Sequence, residues 1–570
     1  MILKALYDYY HRCGDLAPSG FKEMEIPFLI VIDKEGNFMR VEDRRIDKKT
    51  SQKFLVVAGS RSSGIKPYLM YDNLEYVLCH TKDGKEEKSI LKHQAFVNQC
   101  KALAETYSES DAFKAVSLFF EKGGVAKVKE DSLWNDMVKK TGANVSFILQ
   151  GETEIIASAK ELQSEVDASV EDSNEVEWPC CLITGEHAQP VETTTATMIP
   201  GSQATAKLVA FQVSSGYDSY GKSKGNNAPI SKYAESAYTT ALLHLLGKQS
   251  RNKFYIGNRT FLFWASSNND SAKAVEESLF SMFGFADTDT DDPNRRIEEV
   301  RKTFQSIYSG ELPCDSTDKF YILGLAPNSA RIAVVYWNEI KLRDFSKMIL
   351  KHFDDMEIID GRKEKRPYYG LRQMMSAVTL GGKASEVQPN LPEMTIKSIF
   401  QGLPYPYTLF SSSIRRIRAE QADGMQIARI AILKAYLNRT KSNNNKSLTI
   451  MLDKENKNLG YVCGRLFAVL EYAQKRANNI TSVKERYMNA ASATPAAVFP
   501  TLLNLNTHHV EKLENEGVKI YIENMKQEIV AMLPSDGFPS HLSLQDQGRF
   551  FIGYYHQMQD IYTKKESKSE

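Results

Sequence analysis

The chain has 570 residues, of which 72 are Lys or Arg and 71 are Asp or Glu, so its formal net charge is +1. Its 42% hydrophobic and 25% charged residues are typical of a globular protein, and they exclude a disordered, collagen-like or coiled-coil polymer. At roughly 150 residues per domain, the length predicts about two to four domains. No long uncharged apolar run and no regular cysteine framework occur, so we expect a reduced, cytoplasmic protein without a membrane partner.

The first predicted domain, residues 1–150, mixes strands and helices. Residues 27–33 and 54–58 are short apolar runs next to turn residues, which is typical of buried strands. Residues 94–122 are predicted to be helical. Residues 151–177 follow as an acidic linker, poor in aromatic residues.

The second predicted domain, residues 178–400, alternates strands and helices. The β-branched and aromatic residues of 259–265 and 331–337 favour strands. Residues 234–246 and 345–353 fit helices. This region is predicted to be a mixed α/β domain.

The third predicted domain, residues 401–570, has helical periodicity throughout. Apolar residues recur every three or four positions in 459–473, in 518–529 and again in 551–562. Such a pattern predicts a helical bundle. The fold class is therefore α+β, multidomain, with a helical C-terminal region.

The common catalytic motifs are missing from the sequence. It contains no phosphate-binding Walker loop, no nucleophile elbow and no His-Glu-x-x-His zinc motif. Cys180 and Cys181 with His187 resemble half of a zinc site, but a second cysteine pair is absent and structural cysteines are favoured. We therefore expect a protein that is not an enzyme and that needs no metal or other cofactor.

A first polar loop, residues 59–67, joins glycine and serine to basic side chains, and residues 71–73 follow it. Glycines let backbone amides approach a phosphate, and Ser63 adds a hydroxyl donor. Arg61 and Lys66 supply positive charge, and Asn73 has an amide that can pair with a base edge. The other interpretation is an ordinary turn between strands.

A second polar loop, residues 214–231, has the composition of a nucleic-acid contact. Two tyrosines can stack on bases, and basic and amide side chains can contact the backbone. An ordinary surface loop is the alternative. The candidate backbone contacts are Lys222, Lys224, Asn226 and Asn227.

A third basic segment lies in 415–441. Positions 415, 418 and 429 have spacings that place them on one face if the segment is a single helix, which predicts a stripe that follows phosphates. A solvated helix surface is the alternative. The candidate residues are Arg415, Arg416, Arg418 and Arg429.

Several segments of the chain together resemble one known family. They are residues 1–10, 63–67 with 72–73, 219–222 with 227–229, 324–331, 464–471 and 551–557. With these motifs the chain resembles the large subunit of the subtype I-C CRISPR surveillance complex, Cascade, from residue 1 to about residue 565.

The resemblance implies a non-catalytic subunit that recognises the PAM beside a DNA target, assists duplex opening and R-loop formation, and recruits a separate helicase–nuclease. The implied partners are crRNA, target double-stranded DNA, the Cascade backbone and crRNA-processing subunits, a small subunit and that helicase–nuclease. RNA-guided recognition divides the work in this way, because the protein reads the PAM and base pairing reads the sequence. The alternative function is a metal-dependent nuclease that acts on the same invading DNA.

On this resemblance we assign the PAM contact to the first loop. Lys66 and Asn73 are the base-edge candidates, and Arg61 is assigned to a phosphate. The family also suggests an internal translation start that yields the C-terminal bundle as a separate small subunit. Met451 precedes the first clean amphipathic helix and is the candidate start.

Overall fold

The structure, a computed structural model, describes residues 1–14, 16–47, 50–58, 64–81, 86–140, 142–162, 178–211, 218, 220–283, 293–361, 370–420, 425–440, 447–479 and 482–566. The chain divides into two compact units. The first unit is Met1–Thr197 with Val209–His244, and the second is Met198–Leu208 with Leu245–Glu570. Helices and small sheets are combined in the chain, which confirms the multidomain α+β class.

The first unit holds six strands and seven α-helices among its described residues. They are α1 (Ile2–Arg12), β1 (Phe21–Glu25), β2 (Phe28–Ile32), β3 (Phe38–Asp43), β4 (Lys53–Val57), β5 (Tyr71–Asn73), α2 (Leu74–Leu78), α3 (Glu86–Thr106), α4 (Asp111–Glu121), α5 (Gly124–Lys129), α6 (Trp134–Lys139), β6 (Asn144–Leu149) and α7 (Lys232–Leu246). The last two residues of α7 belong to the second unit.

The main sheet of the first unit has the strand order β3-β2-β6-β5. Strand β2 is antiparallel to β3 and parallel to β6, and all five of its residues are buried. Gly36, in the turn after β2, has φ +78°, and a Cβ there would lie 2.6 Å from Leu118 Cβ of α4. Strands β1 and β4 form a separate antiparallel pair, with Phe21 opposite Val57.

Within its described residues, the second unit has four strands, and helices make up most of the rest. Its described elements are β7 (Lys253–Ile256), β8 (Arg259–Ala265), α8 (Asp270–Phe283), α9 (Pro293–Ser309), β9 (Lys319–Asn328), β10 (Arg331–Lys341), α10 (Leu342–Met356), α11 (Leu371–Val378), α12 (Leu391–Gln401), α13 (Tyr407–Glu420), α14 (Ile427–Arg439), α15 (Leu459–Asn478), α16 (Ser482–Ala493), α17 (Pro495–Glu511), α18 (Glu516–Val530) and α19 (Leu544–Glu566).

The four strands of the second unit form an antiparallel sheet in the order β10-β9-β8-β7. One hydrophobic core runs from Phe254 in β7 to Ile561 in α19. The predicted boundary between residues 400 and 401 lies within the chain segment that shares this core. The predicted linker, residues 151–177, lies outside the described residues from 163 onward.

Helices α15 and α19 approach each other at three glycines. A Cβ at Gly464 would lie 2.0 Å from Phe550 O, and one at Gly460 would lie 2.2 Å from Asp546 O. From the other helix, a Cβ at Gly553 would lie 2.3 Å from Tyr461 O. Glycine is therefore required for backbone contact between these helices, which explains why the motifs 464–471 and 551–557 carry glycine.

The strands predicted at 27–33, 54–58, 259–265 and 331–337 are confirmed as β2, β4, β8 and β10. The helices predicted at 234–246 and 345–353 are confirmed as α7 and α10. Residues 94–122, predicted to be helical, lie mostly in α3 and α4, with a break between the two helices. Helix α3 ends at Thr106 and α4 begins at Asp111, because the polar residues 107–110 form a turn in which Ser110 N–H donates to Tyr107 O at 2.9 Å.

Candidate nucleic-acid interface

The first predicted loop is described only in part. Arg61 and Ser63 lie outside the described residues, whereas Lys66 is exposed on the segment that follows. The buried carboxylate of Asp72 accepts the backbone N–H of Tyr68 at 3.0 Å and of Asn73 at 2.7 Å. This carboxylate fixes the turn that carries Lys66 toward β5.

Asn73 has a structural role as the N-cap of α2. Its Oδ1 accepts the backbone N–H of Glu75 at 3.0 Å and of Tyr76 at 3.4 Å. An N-cap oxygen satisfies amides that the helix itself leaves without partners. A bidentate contact with adenine uses both ends of an amide, so it cannot form while Oδ1 caps the helix.

The second predicted loop places its most exposed side chains at its tip. Tyr220 is 100% exposed with φ 53°, and Lys222 and Asn226 are exposed as well. An exposed tyrosine beside a lysine offers a stacking surface and a positive charge to a nucleic acid. Residues 214–217 and 219 of this loop lie outside the described residues.

The side chain of Asn227 forms hydrogen bonds within the second loop. Its Nδ2 donates to Asp218 Oδ1 at 2.9 Å and to Lys224 O at 3.1 Å. Asp218 Oδ1 also accepts the backbone N–H of Lys224 at 3.2 Å. These contacts make Asn227 a positioning residue for the loop.

Lys224 pairs with an acid of its own unit. Its Nζ lies 2.8 Å from Glu192 Oε2, and this hydrogen bond lowers the pKa of the Glu192 carboxyl. The neighbouring Gly225 packs against Val191, next to Glu192, so closely that a Cβ at this glycine would lie 1.7 Å from Val191 O. Lys222 and Asn226 are therefore the better-placed backbone contacts of the four predicted in this loop.

Cys181 anchors the far end of the second loop to the turn at 180–187. Its Sγ accepts the backbone N–H of Ser231 at 3.3 Å, and Leu182 N–H donates to Pro229 O at 2.9 Å. Burial alone would raise the pKa of the Cys181 thiol, but hydrogen bonds from Ser231 and Thr184 lower it to about 7. Among the described residues, no three His, Cys, Asp or Glu side chains gather where they could hold a metal ion.

The N-terminal half of α7 brings the predicted segments of the first unit together. The Tyr233 ring lies 6.2 Å from the Tyr7 ring and 5.8 Å from the His11 ring of α1, measured between centroids. Ser236 Oγ accepts the backbone N–H of Gly20 at 3.1 Å. Gly20 O in turn accepts the N–H of Ala58, immediately before the first loop, at 2.7 Å. Segment 1–10, the residue that precedes the first loop and the end of the second loop thus meet around one helix.

The stripe predicted at 415–429 is wrong as a single helical face. Helix α13 ends at Glu420 and α14 begins at Ile427, so Arg429 belongs to a different helix from Arg415 and Arg418. Arg429 is 1% exposed, and its guanidinium donates to Ala377 O and pairs with Glu420, both at 2.7 Å.

The other arginines of this segment differ in exposure. Arg415 is exposed, Arg416 is half-buried with Nε 3.6 Å from Glu420 Oε1, and burial lowers the pKa of Arg418. Arg415 is therefore the best-placed phosphate contact among the arginines predicted in this segment.

The second unit also has a basic face that the sequence reasoning missed. Arg343, Lys347 and Lys351 lie on the exposed side of α10. The sequence itself contains this pattern, because basic residues at intervals of four lie on one side of a helix.

A family model described as CRISPR-associated protein (Cas_Csd1) matches residues 6–562. The chain belongs to the CRISPR-associated Csd1 family. This family supports a role as a CRISPR-associated component of a Cascade complex, together with crRNA and other Cas subunits. No curated protein matches the chain. In the described part of the chain, no helix is both long and apolar enough to cross a membrane.

Proposed function

We propose that the chain is the non-catalytic large subunit of a subtype I-C Cascade, which recognises the PAM, assists duplex opening and recruits a helicase–nuclease. The family match over residues 6–562 carries the proposal. Its partners are then crRNA, target double-stranded DNA, the Cascade backbone and crRNA-processing subunits, a small subunit and the helicase–nuclease.

The surface around α7 supports a nucleic-acid contact in the first unit. Tyr220 and Lys222 are exposed on a loop that Asp218 and Asn227 hold in shape. A preorganised loop binds without first losing conformational freedom, so its contacts contribute more fully to affinity. We assign Tyr220, Lys222 and Asn226 to the DNA backbone and bases beside the PAM, with Lys66 as a further candidate.

Duplex opening tests this proposal. The crRNA-loaded complex is mixed with matched duplexes that carry 2-aminopurine next to the PAM, with the PAM intact or replaced. We expect a fluorescence rise only with the intact PAM and only when this chain is in the complex. A rise of equal size without the PAM would contradict the proposal.

Cleavage tests the non-catalytic part separately. Purified chain is incubated with the same duplexes and with Mg²⁺, Mn²⁺ or Zn²⁺. The proposal expects intact DNA, and cleavage that increases with added metal would identify a nuclease instead.

A further inference from the structure

Helix α10 carries a row of cations on its exposed side. Arg343, Lys347 and Lys351 are exposed, while the opposite side buries Phe345, Ile349 and Phe353 in the core of the second unit. Residues four apart advance by about 6 Å along a helix. The row therefore presents positive charges at regular steps over about 12 Å.

The charge of this row is largely uncompensated. Within the described residues, none of its three cations forms a salt bridge. Two acids of the same helix have other partners, since Asp354 lies 2.8 Å from Arg301 and Asp355 lies 2.6 Å from Arg439. Asp344 is the exposed acid beside the row.

An exposed tyrosine lies next to the first cation of the row. Tyr308 is 41% exposed, and the Arg343 guanidinium carbon lies 6.0 Å from the centre of its ring. Arg343 Nε also donates to Tyr308 O at 3.2 Å. These contacts hold the guanidinium beside an aromatic surface.

A second exposed tyrosine follows a segment anchored at the other end of the row. His352 Nδ1 lies 2.6 Å from Tyr405 Oη, and Arg439 Nη1 donates to Leu403 O at 2.7 Å. The first contact joins Tyr405 to the buried side of α10, and Arg439, a residue of α14 that pairs with Asp355 of α10, holds Leu403 near the same turn. Tyr407, two residues further on, is 58% exposed.

We infer that the exposed side of α10, with Tyr308 and Tyr407, binds single-stranded nucleic acid. Cations at regular steps can neutralise successive phosphates, and aromatic rings beside them can stack bases of any sequence. The inference deepens the proposed function and rests on it in taking nucleic acid as the ligand. It places a strand contact in the second unit, separate from the loops around α7.

Fluorescence anisotropy of the purified full chain with labelled oligo(dT) and oligo(U) tests this site over a series of salt concentrations. Lys347 and Lys351 are replaced together by alanine. The control replaces Lys273 and Lys457 together, two exposed lysines of the same unit. Unchanged circular dichroism and thermal unfolding show that each variant is folded.

Each single-strand phosphate contact contributes about 0.7 to the slope of log affinity against log salt, or about fivefold in affinity near 0.1 M salt. We therefore expect Lys347→Ala with Lys351→Ala to bind about 25-fold more weakly, with a slope shallower by about 1.4. Tyr407→Ala should weaken binding at least about fivefold without changing the slope. Asp344→Asn should strengthen binding.

Equal affinity of the wild type and the lysine variant, or an equal loss in the control, would overturn the inference. So would a wild type that binds neither strand. Tighter binding of DNA would identify the displaced, non-target strand as the ligand, and tighter binding of RNA would identify the guide. PAM-dependent duplex opening is measured on the assembled complex, whereas single-strand binding is measured on the isolated chain. A failure of the proposed function and a failure of this inference can therefore be told apart.

Discussion

Asp218 and Asn227 are joined by a hydrogen bond of 2.9 Å, and they lie on either side of the exposed residues Tyr220 and Lys222 of the second loop. Removing the Asn227 amide should weaken DNA binding by releasing the loop, with no loss of a phosphate contact. We expect Asn227→Ala to lower the affinity of the assembled complex for duplex at every salt concentration and to leave the salt slope unchanged.

Lys222→Ala should change the salt dependence of duplex binding, whereas Asn227→Ala should not. Loss of one phosphate contact makes the duplex salt slope shallower by about 0.9. Lys114→Ala, an exposed lysine of α4, is the charge-matched control and should leave the slope as it is. A shallower slope in Asn227→Ala, or an unchanged slope in Lys222→Ala, would reverse these two roles.

Two substitutions of Asn73 distinguish a role in helix capping from a role in base recognition. Serine can cap α2 but lacks the amide, whereas alanine lacks both functions. We expect Asn73→Ala to lower the unfolding free energy by about 1 kcal/mol and Asn73→Ser to cost much less. Denaturant unfolding measures the stability, and a panel of PAM duplexes measures the preference. If Asn73→Ser folds normally and relaxes the PAM preference, Nδ2 reads a base.

Arg429 should matter for stability and Arg415 for binding. Replacing Arg429 by alanine leaves the buried Ala377 O without its donor and removes the closer of the two arginines that pair with Glu420, at a cost of about 2 kcal/mol. Arg415→Ala, on the exposed side of α13, should leave thermal unfolding unchanged and weaken DNA binding. A stable Arg429→Ala with weakened DNA binding would show that this arginine reaches the ligand.

The buried His556 should make the folded chain less stable at acid pH. Burial lowers its pKa from 6.5 to about 3, and its Nδ1 lies 2.9 Å from Tyr461 Oη. Below pH 6.5 the imidazole of His556 therefore binds a proton in the unfolded chain but stays neutral in the folded chain. The free energy of unfolding is therefore highest, as far as this group is concerned, above pH 6.5, and it decreases as pH falls toward 3.

At about pH 5 the loss from this one group is about 2 kcal/mol. Urea unfolding at about pH 7 and pH 5 should show that wild type loses about 2 kcal/mol more than His556→Gln between the two. Lys434 and Asp453 are the charged groups that act on this histidine, and both are the same in the two proteins. Equal losses would assign the acid sensitivity to other groups, such as the buried His352.

Met451 is exposed in the segment before α15, so leucine there should leave the full chain folded. If translation also starts at this codon, Met451→Leu should remove a short C-terminal product and keep the full-length band on a blot against a C-terminal tag. Met425→Leu, at the methionine that precedes Met451 in the sequence, is the control. Persistence of the short product in Met451→Leu would exclude this start.

The elements that the sequence predicts well are those with one dominant signal. The β-branched and aromatic run Arg259–Ala265 defines β8 from its first residue to its last. Asp423-Gly424 is a dipeptide typical of turns, and it lies between α13 and α14, where the spacing of the basic residues alone does not show a break. The break between α3 and α4 had a similar signal in its serines and acids.

The site residues are harder to predict because one side chain can serve two purposes. Asn73 precedes an apolar run, as an N-cap does, and it also has the amide that a base contact needs. The burial of Arg429 depends in part on its contact with Ala377 of α11, which lies 52 residues earlier in the sequence. Only the fold shows that Asn227 bonds within its own loop while Tyr220 is exposed.

The most direct test of the central claim compares crRNA-loaded complexes assembled with and without this chain. Each is titrated with two duplexes that share the target and differ only in the PAM, and the ratio of the two affinities is the measured quantity. If this chain reads the PAM, the ratio is well above one with the chain and close to one without it. The same ratio in both complexes would contradict the claim and assign PAM reading to another subunit.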